Sequence, residues 1–406
     1  MRIALNYGRD CMEFDVADAG RVVQQRAPQP LDDAAAAVRA ALQAPFDFPA
    51  LRRALTADDH VTVVADERLP GLAQLLTPVL EELTSAGVDP ANVTLLCEPA
   101  ESHPQWLADL PKAFEKVRLE IHDPKDRKKL SYLATTRQGR RLYLARSVVD
   151  ADQLVVLSAR RFDPRIGRGG AAGAVFPALG DEAARTELDD RPNLDDLDSA
   201  AEAEAEAQAA ETAWLLGAPF FIEVIEAAGD GVAHVTAGTV AVGAEGRRLL
   251  DASWRWEAPA LADVVVAALS GDPSRQSFAD LAAAAACAAR VVQPDGRIVL
   301  LSRTPPGLTA ESAALLQGDD ARGVLDRLRG RPTVQQIPAW RWAGAACRAR
   351  LFLLSGFEDQ TVEDLVATPL QNGAQVQRLL DAGGTCLFLE DAHKARVLQA
   401  PSASEG

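Results

Sequence analysis

Short, almost wholly apolar runs recur along the chain, separated by stretches whose apolar positions repeat every three to four residues. The runs are Val61–Ala65, Val93–Cys97, Val117–Ile121, Leu142–Leu144, Leu154–Ser158, Phe220–Ile225, Val264–Leu269, Ile298–Ser302, Leu351–Leu354 and Cys386–Leu389. Continuous apolar strands of this length are expected in sheets covered on both faces. Between them lie amphipathic helices. In AQLLTPVLEELTSAG, Leu75, Leu76, Val79, Leu80 and Leu83 share one face, and Gly87 is placed to end the helix. In SFADLAAAAACAARVV, Ser277 and Asp280 have the spacing of a capping box. Alternating strands and helices predict an α/β fold with mostly parallel sheets flanked by helices.

Two stretches break the alternation. Asp181 to Thr212 is acidic, rich in alanine and poor in large apolar residues. That pattern predicts a solvated loop followed by an exposed helix, with an acidic binding surface as the rival reading. The second break spans Arg248 to Asp263, after which the alternation resumes. A chain of 406 residues is expected to form more than one domain. The division is therefore placed at 1–255 and 256–406, with an interdomain cleft between two α/β domains. No period of the kind found in solenoids or propellers is present.

The formal net charge is −16, which argues against nucleic acid as a partner, since phosphate neutralisation needs excess basic charge. No apolar run is long enough to span a membrane, and the N-terminal residues do not resemble a signal peptide. A cytoplasmic location is the expectation. The five cysteines, Cys11, Cys97, Cys287, Cys347 and Cys386, have no CxxC spacing, and so suggest neither a disulfide framework nor a zinc site. Cys287 and Cys386 read as small core residues. His60, His103, His122, His234 and His393 form no HxH, HxxxH or HxxxE pair, so no metal site is expected. His122 and His393 read as surface residues, and His60 and His234 as structural ones.

The stretch IGRGGAAGAVFP places Gly167, Gly169, Gly170 and Gly173 around Arg168. Such a loop exposes backbone N–H groups to a phosphate or carboxylate, or makes a tight turn against a helix. It carries no lysine, serine, cysteine or histidine. Asp66 follows the run Val61–Ala65, at the end of a strand where ligands bind in open α/β sheets, or where an N-cap would sit. Arg68, Arg160, Arg161, Arg165 and Arg168 lie near these loops and are candidate anion ligands or solvated residues.

Several segments, in order, resemble the nickel-dependent lactate racemase family. VTVVADERLPGLAQLL resembles that family's strand followed by an Asp–His–Thr–Arg–Pro turn and a helix; Asp66 and Pro70 match, and Glu67, Arg68 and Leu69 stand at the other three positions. ANVTLLCEPAESHP resembles the next strand and its histidine turn, with His103 one residue out of register. ADQLVVLSARRFDPRIGRGGAAGAVFPALG resembles the segment carrying the tethered cofactor. ADVVVAALSGDPSRQSFADL matches the family at Gly271, Pro273 and Gln276, while Asp272 and Ala283 replace its tyrosine and lysine. RARLFLLSGFEDQTVEDLVATPL fits a late strand and helix.

The resemblance implies a two-domain fold and a nickel-pincer nucleotide joined to a lysine after the paired glycines. It also implies one histidine on the metal and two that exchange the proton. In this chain Ala171 and Ala172 follow the glycines, with Ala172 at the tether position. No lysine lies between Lys129 and Lys394, and no histidine between His122 and His234. The expectation is a diverged member without that cofactor. Asp66, Arg68, Gly167, Gly169, Gly170 and Gln276 are its candidate ligand-binding residues, and His103 is the one remaining candidate for acid–base chemistry. A small anionic metabolite or a partner is the expected ligand. Two rival readings are an active 2-hydroxyacid racemase or epimerase with an untethered or different cofactor, and a nucleotide- or metabolite-binding module.

Overall fold

A computed structural model describes the chain apart from residues 17, 99–104, 138, 165–166, 191–198, 306–311, 317–319, 329–331 and 401–406. Two compact units result. One comprises Pro30–Ala227 and Gly231–Leu250; the other comprises Met1–Gln29, Ala228–Asp230 and Asp251–Gly406.

In the first unit a six-stranded sheet runs in the order Val232–Gly238, Phe220–Glu226, Gln153–Ala159, Val61–Ala65, Val93–Cys97, Arg118–Ile121. All neighbours are parallel except the edge strand Val232–Gly238, which pairs antiparallel with Phe220–Glu226. Period-two alternation supplies a core on each face. Val61, Val63, Leu95, Val155 and Leu157 pack with Leu75, Leu76, Val79 and Leu83 of the helix Leu72–Ser85. Val64, Leu96, Val156 and Phe221 pack on the other face with Leu144, Ala171, Val175 and Phe176. At the helix end the Val88 N–H donates to the Leu83 carbonyl, and Gly87 holds φ at 98°, the left-handed stop expected of this glycine.

The second unit carries another six-stranded sheet, parallel throughout, in the order Thr368–Leu370, Arg350–Leu354, Val292–Leu301, Ala262–Ala268, Cys386–Leu389, Val22–Gln25. Ser277 and Asp280 close the expected capping box on the helix Phe278–Ala289. Trp342 is fully buried against Phe278, with ring centroids 5.3 Å apart, and its indole donates to the Leu365 carbonyl.

The strand Val22–Gln25 pairs with Cys386–Leu389 across more than 360 residues of sequence. Met1–Gln29 therefore belongs with the C-terminal half, not with the domain 1–255 that the sequence suggested. The hairpin strands Arg2–Tyr7 and Asp10–Asp15 supply Ile3, Leu5 and Phe14 to that unit's core, beside Val264, Val266 and Phe388. None of the described helices is long and apolar enough to cross a membrane.

Candidate functional site

At the carboxyl edge of the first unit's sheet, three strand ends are tied by one arginine. Arg161 Nη1 donates to Asp66 Oδ2 at 2.7 Å and Nε donates to Glu226 Oε1 at 2.9 Å. Asp66 also accepts from the backbone N–H of Arg68 at 3.0 Å and of Ala159 at 3.2 Å. Burial pushes the Asp66 carboxyl up, but Arg161, Arg68 and the two backbone donors outweigh it and hold its pKa at about 2. Asp66 is thus not the cap of the following helix, whose N-cap is Gly71 in the left-handed region. It locks strand ends together. Arg161 Nη2 is buried with no hydrogen-bond partner among the described residues.

The glycine loop is built around buried ion pairs. The strand Arg161–Asp163 pairs antiparallel with Gly167–Gly169, and the short helix Ala171–Val175 follows. Arg160 grips Glu223 with two bonds, Nε to Oε2 at 2.7 Å and Nη2 to Oε1 at 2.6 Å, and its Nη1 donates to the Arg168 carbonyl at 2.5 Å. Glu223 Oε1 also accepts from the Ala171 N–H at 3.1 Å. Arg168 pairs with Glu202 through Nε at 3.0 Å and Nη2 at 2.9 Å, and its backbone N–H donates to Glu202 Oε1 at 2.8 Å. All four side chains are at most 8% exposed.

This arrangement explains two of the glycines. A Cβ on Gly170 would overlap the Arg160 guanidinium and the Glu223 carboxylate. Gly167 holds φ at 75°, and a Cβ there would lie 2.5 Å from Glu202. Only glycine admits the ion pairs this closely. The loop amides of Arg168 and Ala171 already serve carboxylates of the chain itself.

Beside the loop lies a cavity of about 350 Å³. Gly169, Gly170 and Ala172 border it, together with one face of the helix Ala200–Leu215 and the segment around Val240 to Arg247. A third ion pair, Arg247 with Glu206, stands at its rim, with side chains 34% and 41% exposed.

The sequence candidates fall in both units. Asp66, Arg68, Gly167, Gly169 and Gly170 lie in one unit, and Gln276 lies in the other. Only Gly169 and Gly170 of this set border the cavity. Arg68 stands 3.7 Å from Asp66. Gln276 is engaged at both ends of its amide: Nε2 donates to the Ser270 carbonyl at 2.8 Å and Oε1 accepts from Thr304 at 3.3 Å. Asp272 caps the short turn after its strand, accepting from Ser274, and pairs with Arg9 at 2.8 Å. His103, Arg165 and Ile166 lie outside the described residues.

Two sequence readings are corrected. His122 is not a surface residue but 2% exposed; its Nε2 donates to the Gly180 carbonyl at 2.8 Å, and burial lowers its pKa. The second half of the acidic segment is not a solvated helix. Ala200–Leu215 buries Glu202, Ala205, Ala209, Thr212 and Ala213. The sequence reading missed Glu202 and Glu223. A signal for Glu223 was present: it is a lone charge inside the apolar strand FFIEVIE, and a charge so placed needs a partner. Glu202 has no such mark, since acidic residues alternate with alanine throughout its helix.

Residues 7–187 match a family model described as the lactate racemase N-terminal domain. Two solved structures share the fold. The lactate racemase apoprotein from Thermoanaerobacterium thermosaccharolyticum superposes with a TM-score of 0.78 at 15% identity, covering 98% of this chain and 100% of that one. A Thermotoga maritima protein solved by a structural genomics consortium gives 0.66 at 9% identity, covering 92% and 100%. No curated protein matches.

Proposed function

We propose that this chain, whose residues 7–187 match the lactate racemase N-terminal domain model, is a diverged, non-racemising member of that family that keeps the scaffold and uses the glycine-loop cavity to bind a small molecule. The observation that carries the reading is the buried pair Arg160–Glu223, packed against Gly170 where the family's tether segment lies.

The residues present do not fit a tethered nickel nucleotide. The tether position is Ala172, which offers no amine. Among the described residues no group of three or more histidines, cysteines or carboxylates is arranged to hold a metal. The ionic groups bordering the cavity are guanidiniums and carboxylates paired with one another. Nickel in an imidazole- or thiolate-type site needs softer donors than these. Without a hydride acceptor, racemising a 2-hydroxy acid is out of reach. General-base help contributes roughly 10²–10⁴-fold, whereas enzymatic accelerations run to about 10⁶-fold or more.

The expected outcome is no interconversion of D- and L-lactate after prolonged incubation, read by chiral chromatography. Supplying the mature cofactor, or the change Ala172→Lys, should not restore it. Turnover above an enzyme-free control and proportional to protein would contradict the proposal. A cytoplasmic location is part of the same reading, supported only by the sequence.

A further inference from the structure

We infer that the cavity beside the glycine loop binds a small zwitterion with an apolar body, an α-amino acid of about the size of leucine. The inference rests on the proposed function, because a nucleotide tethered at the loop would compete for the same space. It goes further by naming the ligand class.

Charge balance is the first argument. The ionisable side chains bordering the cavity are Arg160, Arg168, Arg247, Glu202, Glu206 and Glu223. They form three matched pairs, Arg160–Glu223, Arg168–Glu202 and Arg247–Glu206. The lining is therefore formally neutral. An anion held by one of these arginines takes it from its carboxylate, which is left buried and unpaired in the case of Glu223 or Glu202 and facing the ligand's own negative charge in the case of Glu206. A cation does the same to a guanidinium. Either loss is costly at the two buried pairs, and at the half-exposed rim pair it leaves a like charge beside the ligand. A zwitterion avoids both, because its carboxylate and ammonium replace the two partners they separate.

Exposure identifies the pair that can open. Arg160, Glu223, Arg168 and Glu202 are at most 8% exposed and are also bonded to backbone groups of the loop. Arg247 and Glu206 are 34% and 41% exposed and pair with each other at the rim. Separating a half-exposed pair costs little, since such pairs contribute about 1 kcal/mol or less. Arg247 is thus placed to take the ligand carboxylate and Glu206 its ammonium.

Shape and polarity complete the case. Ala203, Ala207 and Ala210 of the helix Ala200–Leu215 line the cavity together with Phe221, Val240 and Val242. Their methyl, isopropyl and phenyl surfaces suit a branched aliphatic body. The volume, about 350 Å³, is at the low end for ligand pockets, roughly 300–1,000 Å³, so a compact ligand is favoured.

The test uses the full-length protein after its intact mass has been shown to equal that of the bare chain. L-Leucine, 4-methyl-2-hydroxypentanoate and 3-methylbutylamine are compared by titration calorimetry; they share one carbon skeleton and differ in charge. Leucine should bind about tenfold or more tighter than either of the others, a difference of roughly 1.4 kcal/mol. Ala207→Trp, which fills the cavity, should abolish binding, and Ala210→Phe serves if that variant fails to fold. Glu206→Gln should raise the relative affinity of the hydroxy acid to within about threefold of leucine. Leucine binding that is absent at about 10 mM, matched by the hydroxy acid, or unchanged in the filled cavity would overturn the inference. A mass excess at the first step would instead overturn the proposed function.

Discussion

The two six-stranded sheets end in different chemistry. At and beyond the carboxyl ends of the first unit's strands stand Asp66, Arg160, Arg161 and Glu226, joined as ion pairs with one another and with Glu223, which lies inside its strand. At the same edge of the second unit's sheet the ion pairs Arg9–Asp272 and Arg303–Asp10 are more exposed, and the buried groups are mostly uncharged. Ser302 and Thr304 share a hydrogen bond of 2.6 Å, Gln276 bridges Thr304 and Ser270, and the one buried carboxylate, Asp391, accepts from Ser270 and from the Gly229 N–H. Both edges stitch strand ends to loops. One does so with buried or half-buried ion pairs that must be matched, the other with exposed ion pairs, dipoles and the hydrogen-bonded carboxylate of Asp391. The difference makes the first edge more sensitive to substitution and to acid.

The largest expected effect comes from unbalancing a buried pair. Glu223→Ala leaves the Arg160 guanidinium buried and unpaired, and should cost about 3–5 kcal/mol. Gln276→Ala removes neutral hydrogen bonds and should cost about 1–2 kcal/mol. Urea unfolding, followed by fluorescence and circular dichroism, measures both. Equal losses would erase the contrast between the edges.

Next are the glycines. Gly170→Ala should destabilise by about 1–3 kcal/mol, because the added methyl meets Arg160 and Glu223. Gly344→Ala, within the helix Ile337–Arg348, has nothing within 4 Å of the new Cβ. It should stabilise by about 0.5–1 kcal/mol. A neutral Gly170→Ala would show that the ion pairs are not what the loop is shaped for.

The smallest and most easily masked effect is acid sensitivity. Asp66 is held at about 2 in the folded protein, against 3.8 for the free group. Its folded pKa is depressed, so its contribution is present above about pH 4 and is lost as pH falls towards 2. That contribution is roughly 2 kcal/mol. Asp66→Asn should remove this part of the pH dependence, as read from unfolding midpoints at pH 5 and below. An unchanged slope would mean that Arg161 does not stabilise the carboxylate.

Much of the architecture was legible in the chain. Val61–Ala65, Val93–Cys97 and Cys386–Leu389 were readable because both of their faces are buried and the apolar run is unbroken. The Ser277 box was readable because capping is local. Val22–Gln25 was not. Its residues, VVQQ, are half polar, and its partner lies at the far end of the chain. The edge strand Val232–Gly238 is interrupted by the exposed His234, which hides it from a search for continuous apolar runs. At the site, Asp66 and the glycines could be located, but their purpose could not. What the glycines accommodate is Glu202 and Glu223, more than 30 residues further along.

The glycine loop is packed against the chain's own ion pairs, and on the proposed reading it carries no tethered nickel nucleotide. Intact mass spectrometry of protein purified from its native host, with nickel analysis of the same sample, tests it most directly. The expected result is the mass that the amino-acid sequence alone requires, with no added covalent group, and no stoichiometric nickel. A covalent excess of a few hundred daltons localised to the peptide spanning the loop, with about one nickel per chain as a nickel-pincer site would require, would contradict it.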